Sequence, residues 1–265
     1  MAPYLSSRTR QLLEAGGVNY LDTTGNVRIA LRRPALFIRT QGAASDPWPA
    51  ESKLRSLKGP AAARVVRAVL DFKPPYGISE LAARCGSPLA TVHRVIELLD
   101  TEGLLEREPR GPITQVDWRG VFERWTAEYS LFDSNRVATY LEARGLDHLL
   151  DRLREDDLRY AVTGSLAARQ FAPVAPARLA MVFVDGDTEI AAQTLGVTAT
   201  EFGANVFLIE PFDSVALERG LEKDGVRYAA ASQVAADLAK SPGRGPSESD
   251  ALVKWMAANE DAWRT

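Results

Sequence analysis

Thr91, His93 and Arg94 place a hydroxyl, an imidazole and a guanidinium within four consecutive positions. These are donor and acceptor types that read base edges and phosphate oxygens. Leu89 and Ala90 join them at the start of a segment whose apolar residues Val92, Val95, Ile96 and Leu99 recur at helical spacing. The chemistry-bearing residues therefore occupy the outer face of a helix that ends near Gly103. In front of it, Ile78–Cys85 reads as a short helix with Ile78, Leu81 and Ala82 inward, stopped by Gly86. Ser87 is expected to cap the second helix, with Pro88 at its first position. Behind it, 104–108 and 113–116 read as two short strands around Pro109-Arg110-Gly111-Pro112. Helix, glycine turn, helix and basic-tipped hairpin in this order spell a winged helix-turn-helix, whose second helix enters the major groove. Arg110 at the wing tip is expected at the minor groove or a phosphate. Lys58 and Arg64, on or beside a preceding helix over about 58–72, are expected on the backbone. Ser87, Thr91, His93 and Arg94 complete the expected contact set.

Two other constellations could do chemistry. Gly164-Ser165 opens a helix after a strand, and Asp185-Gly186-Asp187 follows the next strand. Nucleotidyltransferases use Gly-Ser to cradle a triphosphate and paired carboxylates to hold divalent ions. Here the spacing is long and Glu210 is the sole candidate third acid, so a surface turn and a structural Gly-Ser are the favoured reading. Asp22 could be the first acid of a metal-dependent nuclease. The following strand, Phe37-Ile38-Arg39-Thr40-Gln41, supplies neither the acid nor the lysine such a site needs. Asp22 and Asn26 are better read as satisfying turn N–H groups. Two histidines, His93 and His148, and one cysteine, Cys85, leave no set for a structural zinc. No cofactor is expected.

The chain has 265 residues, 46% apolar and 25% charged, as soluble globular proteins do. No apolar run is long enough to span a membrane, and the opening residues have no continuous apolar stretch of the kind a secretory leader needs. With a single cysteine, the expected setting is cytoplasmic. The net charge of −3 hides an asymmetry. Residues 1–52 hold six basic and four acidic side chains, 53–120 eleven and eight, and 121–265 fifteen and twenty-three. Positive charge accompanies the DNA-binding part, and the acidic remainder suits a basic protein partner or other copies of the chain.

The elements that must position these residues give an α/β (α+β) chain in four parts. Residues 1–45 read as a helix and a three-stranded meander, and 53–118 as the winged helix. Residues 119–156 read as a helical connector that includes Val137, Tyr140 and Leu141. From 157 to 265, strands and helices alternate in an α/β domain.

The segments YLDTTGNVRIAL…LFIRTQG, the central winged helix, and RYAVTGSLAARQFAPVAPARLAMVFVD with VFLIEPFDSV and ASQVAADLAKSPGRG resemble the AbiEi-type antitoxins of type IV toxin–antitoxin systems, in their actinobacterial version. The resemblance implies a winged-helix repressor of its own operon, often at inverted repeats. It implies a C-terminal domain like a degenerate nucleotidyltransferase, acting toward a nucleotidyltransferase-like toxin. The segment before residue 53 departs from the short version of that family and looks like a remnant of a restriction-endonuclease-like fold. The function expected is a sequence-specific, autorepressing regulator on double-stranded DNA, with a possible cognate toxin and possible homo-oligomer as partners and no membrane. The alternatives are a nucleotidyltransferase-fold enzyme using Asp185 and Asp187, and a protein-interaction adaptor whose winged helix never meets DNA.

Overall fold

The computed structural model describes residues 2–47, 56–108, 111–172 and 176–265. The chain begins with α1 (Ser7–Ala15), whose cap Ser6 accepts from the Thr9 amide at 3.1 Å. A three-stranded antiparallel sheet follows: β1 (Tyr20–Leu21), β2 (Val27–Arg32) and β3 (Ala35–Thr40), in that order across the sheet. No hydrophobic side chain of residues 2–47 is buried; its buried side chains are Asp22 and Asn26. Asp22 accepts from the amides of Leu5, Thr24 and Asn26 at 2.9–3.1 Å and from the Asn26 amide group at 2.9 Å. This module is held by a polar lock and by the surface it leans on. Burial works against the Asp22 charge, and the hydrogen bonds from Thr24, Asn26 and Leu5 outweigh it, holding the carboxyl well below the usual range.

The winged helix comprises α2 (Pro60–Asp71), α3 (Ile78–Cys85), α4 (Leu89–Thr101), β4 (Leu105–Arg107) and β5 (Ile113–Val116). Pro60 starts α2 where its missing N–H costs nothing. α2 is surrounded: Val65, Val66, Val69 and Leu70 are fully buried, and so is Arg67. α5 (Trp118–Thr126) and the short α6 (Leu131–Ser134) continue the chain as expected.

The next element corrects the sequence reading. Arg136–Leu141 is not part of a helical connector but strand β6, paired antiparallel with β10 (Val206–Glu210) from Arg136↔Glu210 to Tyr140↔Val206. Val137, Tyr140 and Leu141 fit helical spacing, but so short a run is ambiguous, and pairing with a partner some seventy residues away decides it.

β6 belongs to a seven-stranded mixed sheet ordered β11-β12-β7-β8-β10-β6-β9. Its other members are β7 (Tyr160–Thr163), β8 (Ala180–Val184), β9 (Thr198–Ala199), β11 (Leu221–Lys223) and β12 (Val226–Tyr228). β8 is buried on both faces: Ala180, Val182 and Val184 join the main core, while Met181 and Phe183 join a second cluster with Leu131, Ile209 and Ala216. The β11–β12 hairpin was not read from the sequence, although Asp224-Gly225 signals it. Both residues adopt positive φ, 52° and 73°, as a primed two-residue turn requires. Helices α7 (Leu146–Glu155), α8 (Gly164–Ala168), α9 (Thr188–Leu195), α10 (Ala231–Ala239), α11 (Gly245–Ala258) and α12 (Glu260–Trp263) complete the fold. The main hydrophobic core runs without interruption from Leu57 and α2 into this domain. No helix among the described residues is long and apolar enough to cross a membrane.

Candidate nucleic-acid interface

The turn between α3 and α4 forms as its sequence predicts. Gly86 is left-handed, at φ 59° and ψ 29°, and its amide closes on Ala82. The cap of α4 differs from expectation. Pro88 is the N-cap residue, and no side chain caps the helix. The Ser87 hydroxyl is buried without a hydrogen-bond partner, so Ser87 is withdrawn from solvent rather than turned toward DNA. Val92, Val95, Ile96, Leu98 and Leu99 form the inner face of α4.

The outer face carries Leu89, Ala90, His93, Arg94 and Glu97, all exposed. Thr91 is turned inward; its Oγ1 accepts from the Arg94 guanidinium at 3.2 Å. Arg94 also donates to the Ala90 carbonyl at 3.2 Å, so its side chain lies along its own helix. Among the described residues no carboxylate pairs with it. His93 faces a cleft of about 880 Å³ between α4, the start of α3 and the wing, lined also by Ser79, Asp100, Arg107 and Glu108. The wing strands pair Leu105 with Val116 and Glu106 with Gln115. Arg110 at the tip lies outside the described residues.

Several cations of the motif and of α2 are already committed to carboxylates. Arg107 binds Asp100 at 2.7 Å, and Arg84 binds Glu80. Arg64 does not stand free for a phosphate: its guanidinium grips Asp213 through two atoms at 2.9 Å and reaches the Gly86 carbonyl at 3.3 Å. Asp213 follows β10 in the C-terminal domain, and the Asp213 contact holds the Arg64 guanidinium charge more firmly than usual. Lys58 is exposed just before α2, and beside it a pocket of about 310 Å³ is walled by Trp125, Tyr129 and Phe212. The motif itself, residues 76–118, holds four arginines against seven acids. Its phosphate-binding capacity is correspondingly thin.

A buried polar network behind α2 was invisible in the sequence. Arg67 donates to Gln233 at 2.7 Å, to Asp71 at 3.1 Å and to the carbonyls of Val215 and Glu218 at 3.1 and 3.2 Å. Asp71 also binds Arg219 at 2.8 Å and accepts from Ser232. Gln233 hands the chain on to Tyr129 and Asp237, and Thr163 closes it on Asp237 at 2.6 Å. Burial lowers the Arg67 charge affinity and pushes the Asp237 carboxyl up to about 6, against the hydrogen bonds from Thr163, Tyr129 and Gln233. Arg264 donates to the carbonyls of Leu70 and Phe72 at 2.7 and 2.8 Å, closing the C-terminal end of α2.

The metal-catalysis constellation is not assembled. β7 and β8 run antiparallel with Thr163 opposite Met181 and Tyr160 opposite Val184. Gly164-Ser165 and Asp185-Gly186-Asp187 therefore sit at opposite ends of the strand pair. The side chain facing Gly164 is Met181. Ser165 donates to buried Glu248, Asp185 pairs with Arg159 at 2.8 Å, and Asp187 caps α9. Glu210 shares an end with Asp185 and pairs with Arg136 at 3.4 Å. Asp22, the nuclease candidate, is spent on the polar lock of its turn.

Residues 62–109 match the IclR helix-turn-helix domain. No curated protein and no solved structure matches the chain. The match spans α2, α3, α4 and β4, and stops short of the flanking segments that carry the antitoxin resemblance. Together with the exposed outer face of α4, it supports a winged-helix, DNA-binding transcriptional regulator.

Proposed function

We propose that the chain is a sequence-specific repressor of its own operon, of the AbiEi antitoxin type. The observation that carries the DNA reading is α4: a well-packed helix behind a left-handed glycine turn, with His93 and Arg94 exposed on its outer face. Arg94 swings off its helix to a base edge, His93 follows the groove wall, and Arg110 and Lys58 reach the backbone. Thr91 orients Arg94 through its hydroxyl, and Arg64 serves as a strut between Asp213 and the turn rather than as a phosphate ligand. The antitoxin part rests on the flanking segments quoted above. The acidic C-terminal domain suits a basic partner such as a nucleotidyltransferase-like toxin, or a second copy.

The test is a gel shift with the duplex upstream of the protein's own gene against scrambled DNA of equal length. The upstream duplex should bind about 10³-fold or more tighter. Equal affinity for both removes the specific-repressor reading. Co-expression with a neighbouring toxin gene then tests the antitoxin assignment, which predicts relief of growth arrest.

A further inference from the structure

A duplex docked on α4 meets a motif with more acids than arginines, two of which, Arg84 and Arg107, are already paired. The missing counter-charge lies next door. Residues 1–47 hold six arginines against three acids. The β2–β3 register sets Arg28 opposite Arg39, Ala30 opposite Phe37 and Arg32 opposite Ala35. Strand alternation puts all six on one face of the sheet. Arg33 stands at the two-residue turn beyond it. Phe37 is 65% exposed between these cations. Arg39 shares its charge with Glu14 at 3.3 Å, whereas Arg32 and Arg33 are exposed and meet no carboxylate among the described residues. One terminal nitrogen of Arg28 is buried without a hydrogen-bond partner.

The module is fixed beside the wing. Arg8 on α1 pairs with Asp117 at the end of β5, and Arg8 and Leu12 share a crevice with Leu105 and Gln115 of the wing strands.

We propose that this sheet face is a second DNA-contacting surface, taking duplex phosphates through Arg32 and Arg33 with Phe37 against the sugar edge. The inference rests on the regulator reading above. It gives the N-terminal module a role: it supplies the sequence-independent cation that the winged helix lacks, while α4 supplies the choice of sequence. Its positive charge suits a polyanion, and its attachment at the base of the wing, beside the DNA-reading motif, favours duplex DNA over an acidic protein.

The test uses the full chain, with Arg32→Ala/Arg33→Ala and Arg32→Glu/Arg33→Glu, both at exposed positions and both checked by thermal melting. Binding to the upstream and scrambled duplexes is measured by fluorescence anisotropy from 50 to 200 mM salt. Two lost phosphate contacts should flatten the log–log salt slope by about 1.8, so that wild type loses about twelvefold more affinity than the alanine variant over that range. The glutamate variant should bind more weakly still, and the ratio between the duplexes should not move. Wild-type slopes in both variants, with wild-type DNA binding intact, overturn the second surface. So does the loss of an acidic protein partner without any change on DNA. Failure of the wild-type protein to prefer its upstream duplex overturns the underlying regulator reading instead.

Discussion

Arg94 has nothing but its own helix to hold it, and that decides what its loss should do. Its bonds to the Ala90 carbonyl and the Thr91 hydroxyl are solvent-exposed or nearly so, so freeing the guanidinium costs little. Arg94→Ala should therefore leave stability nearly unchanged and cost about 1–3 kcal/mol of specific binding, with preference relaxed at one base position. Competition with single-base operator variants measures this, and an unchanged preference profile would move base readout to His93 or elsewhere. Ser87 gives the opposite kind of prediction. A capping serine replaced by alanine costs about 1 kcal/mol, whereas a buried hydroxyl without a partner has no bond to lose. Ser87→Ala is expected to keep or raise the urea midpoint; a clear drop would restore the capping role. The apolar positions of α4 and the Gly86 turn were legible because they depend on local spacing and one dihedral. The inward turn of Thr91 and the orphaned Ser87 were not, because each depends on which neighbour the fold brings close.

At the scale of elements, the least legible feature was the fastening of α2. Its helical pattern reads plainly, but Arg67 in a surface helix is expected in water. It is buried because Gln233 and the Val215 and Glu218 carbonyls, about 150 residues away, surround it. No spacing rule reaches that far. The same holds for β6, whose residues choose strand because β10 is there to pair with. Asp237 at the far end of the network has a testable signature. Its folded-state pKa, about 6, lies above the ordinary 3.8, so the native state holds the proton more tightly than the unfolded one. The stability this contributes is present below about pH 4 and is lost as pH rises through about 6. Relative to Asp237→Asn, the wild-type melting temperature should therefore fall between pH 4.5 and 7. A difference that stays flat across that window would mean that the carboxyl is ionised throughout.

On the scale of the whole molecule, charge and core tell different stories, and the core predicts how the chain comes apart. The charge asymmetry was legible from counts alone and divides a basic front from an acidic rear. The core does not divide: one hydrophobic cluster takes in Leu57, α2, α4, α5, β7, β8 and α10. The helix-turn-helix is therefore fastened to the C-terminal domain through Arg64 on Asp213 and Arg67 on Gln233. The full chain should unfold in a single transition, with tryptophan fluorescence and far-ultraviolet dichroism coincident. A fragment of residues 53–118, the unit the sequence suggests, should not fold stably. It would be small for an independent core, and the face of α2 that carries Arg64, Arg67 and Asp71 would lose the cover of the C-terminal domain. Its Arg67 would regain water but lose every partner except Asp71. The measurement is the dichroism melt of the fragment beside that of the full chain. A cooperative melt at the full-chain temperature would show an autonomous head, and coupling through α2 would have to be abandoned.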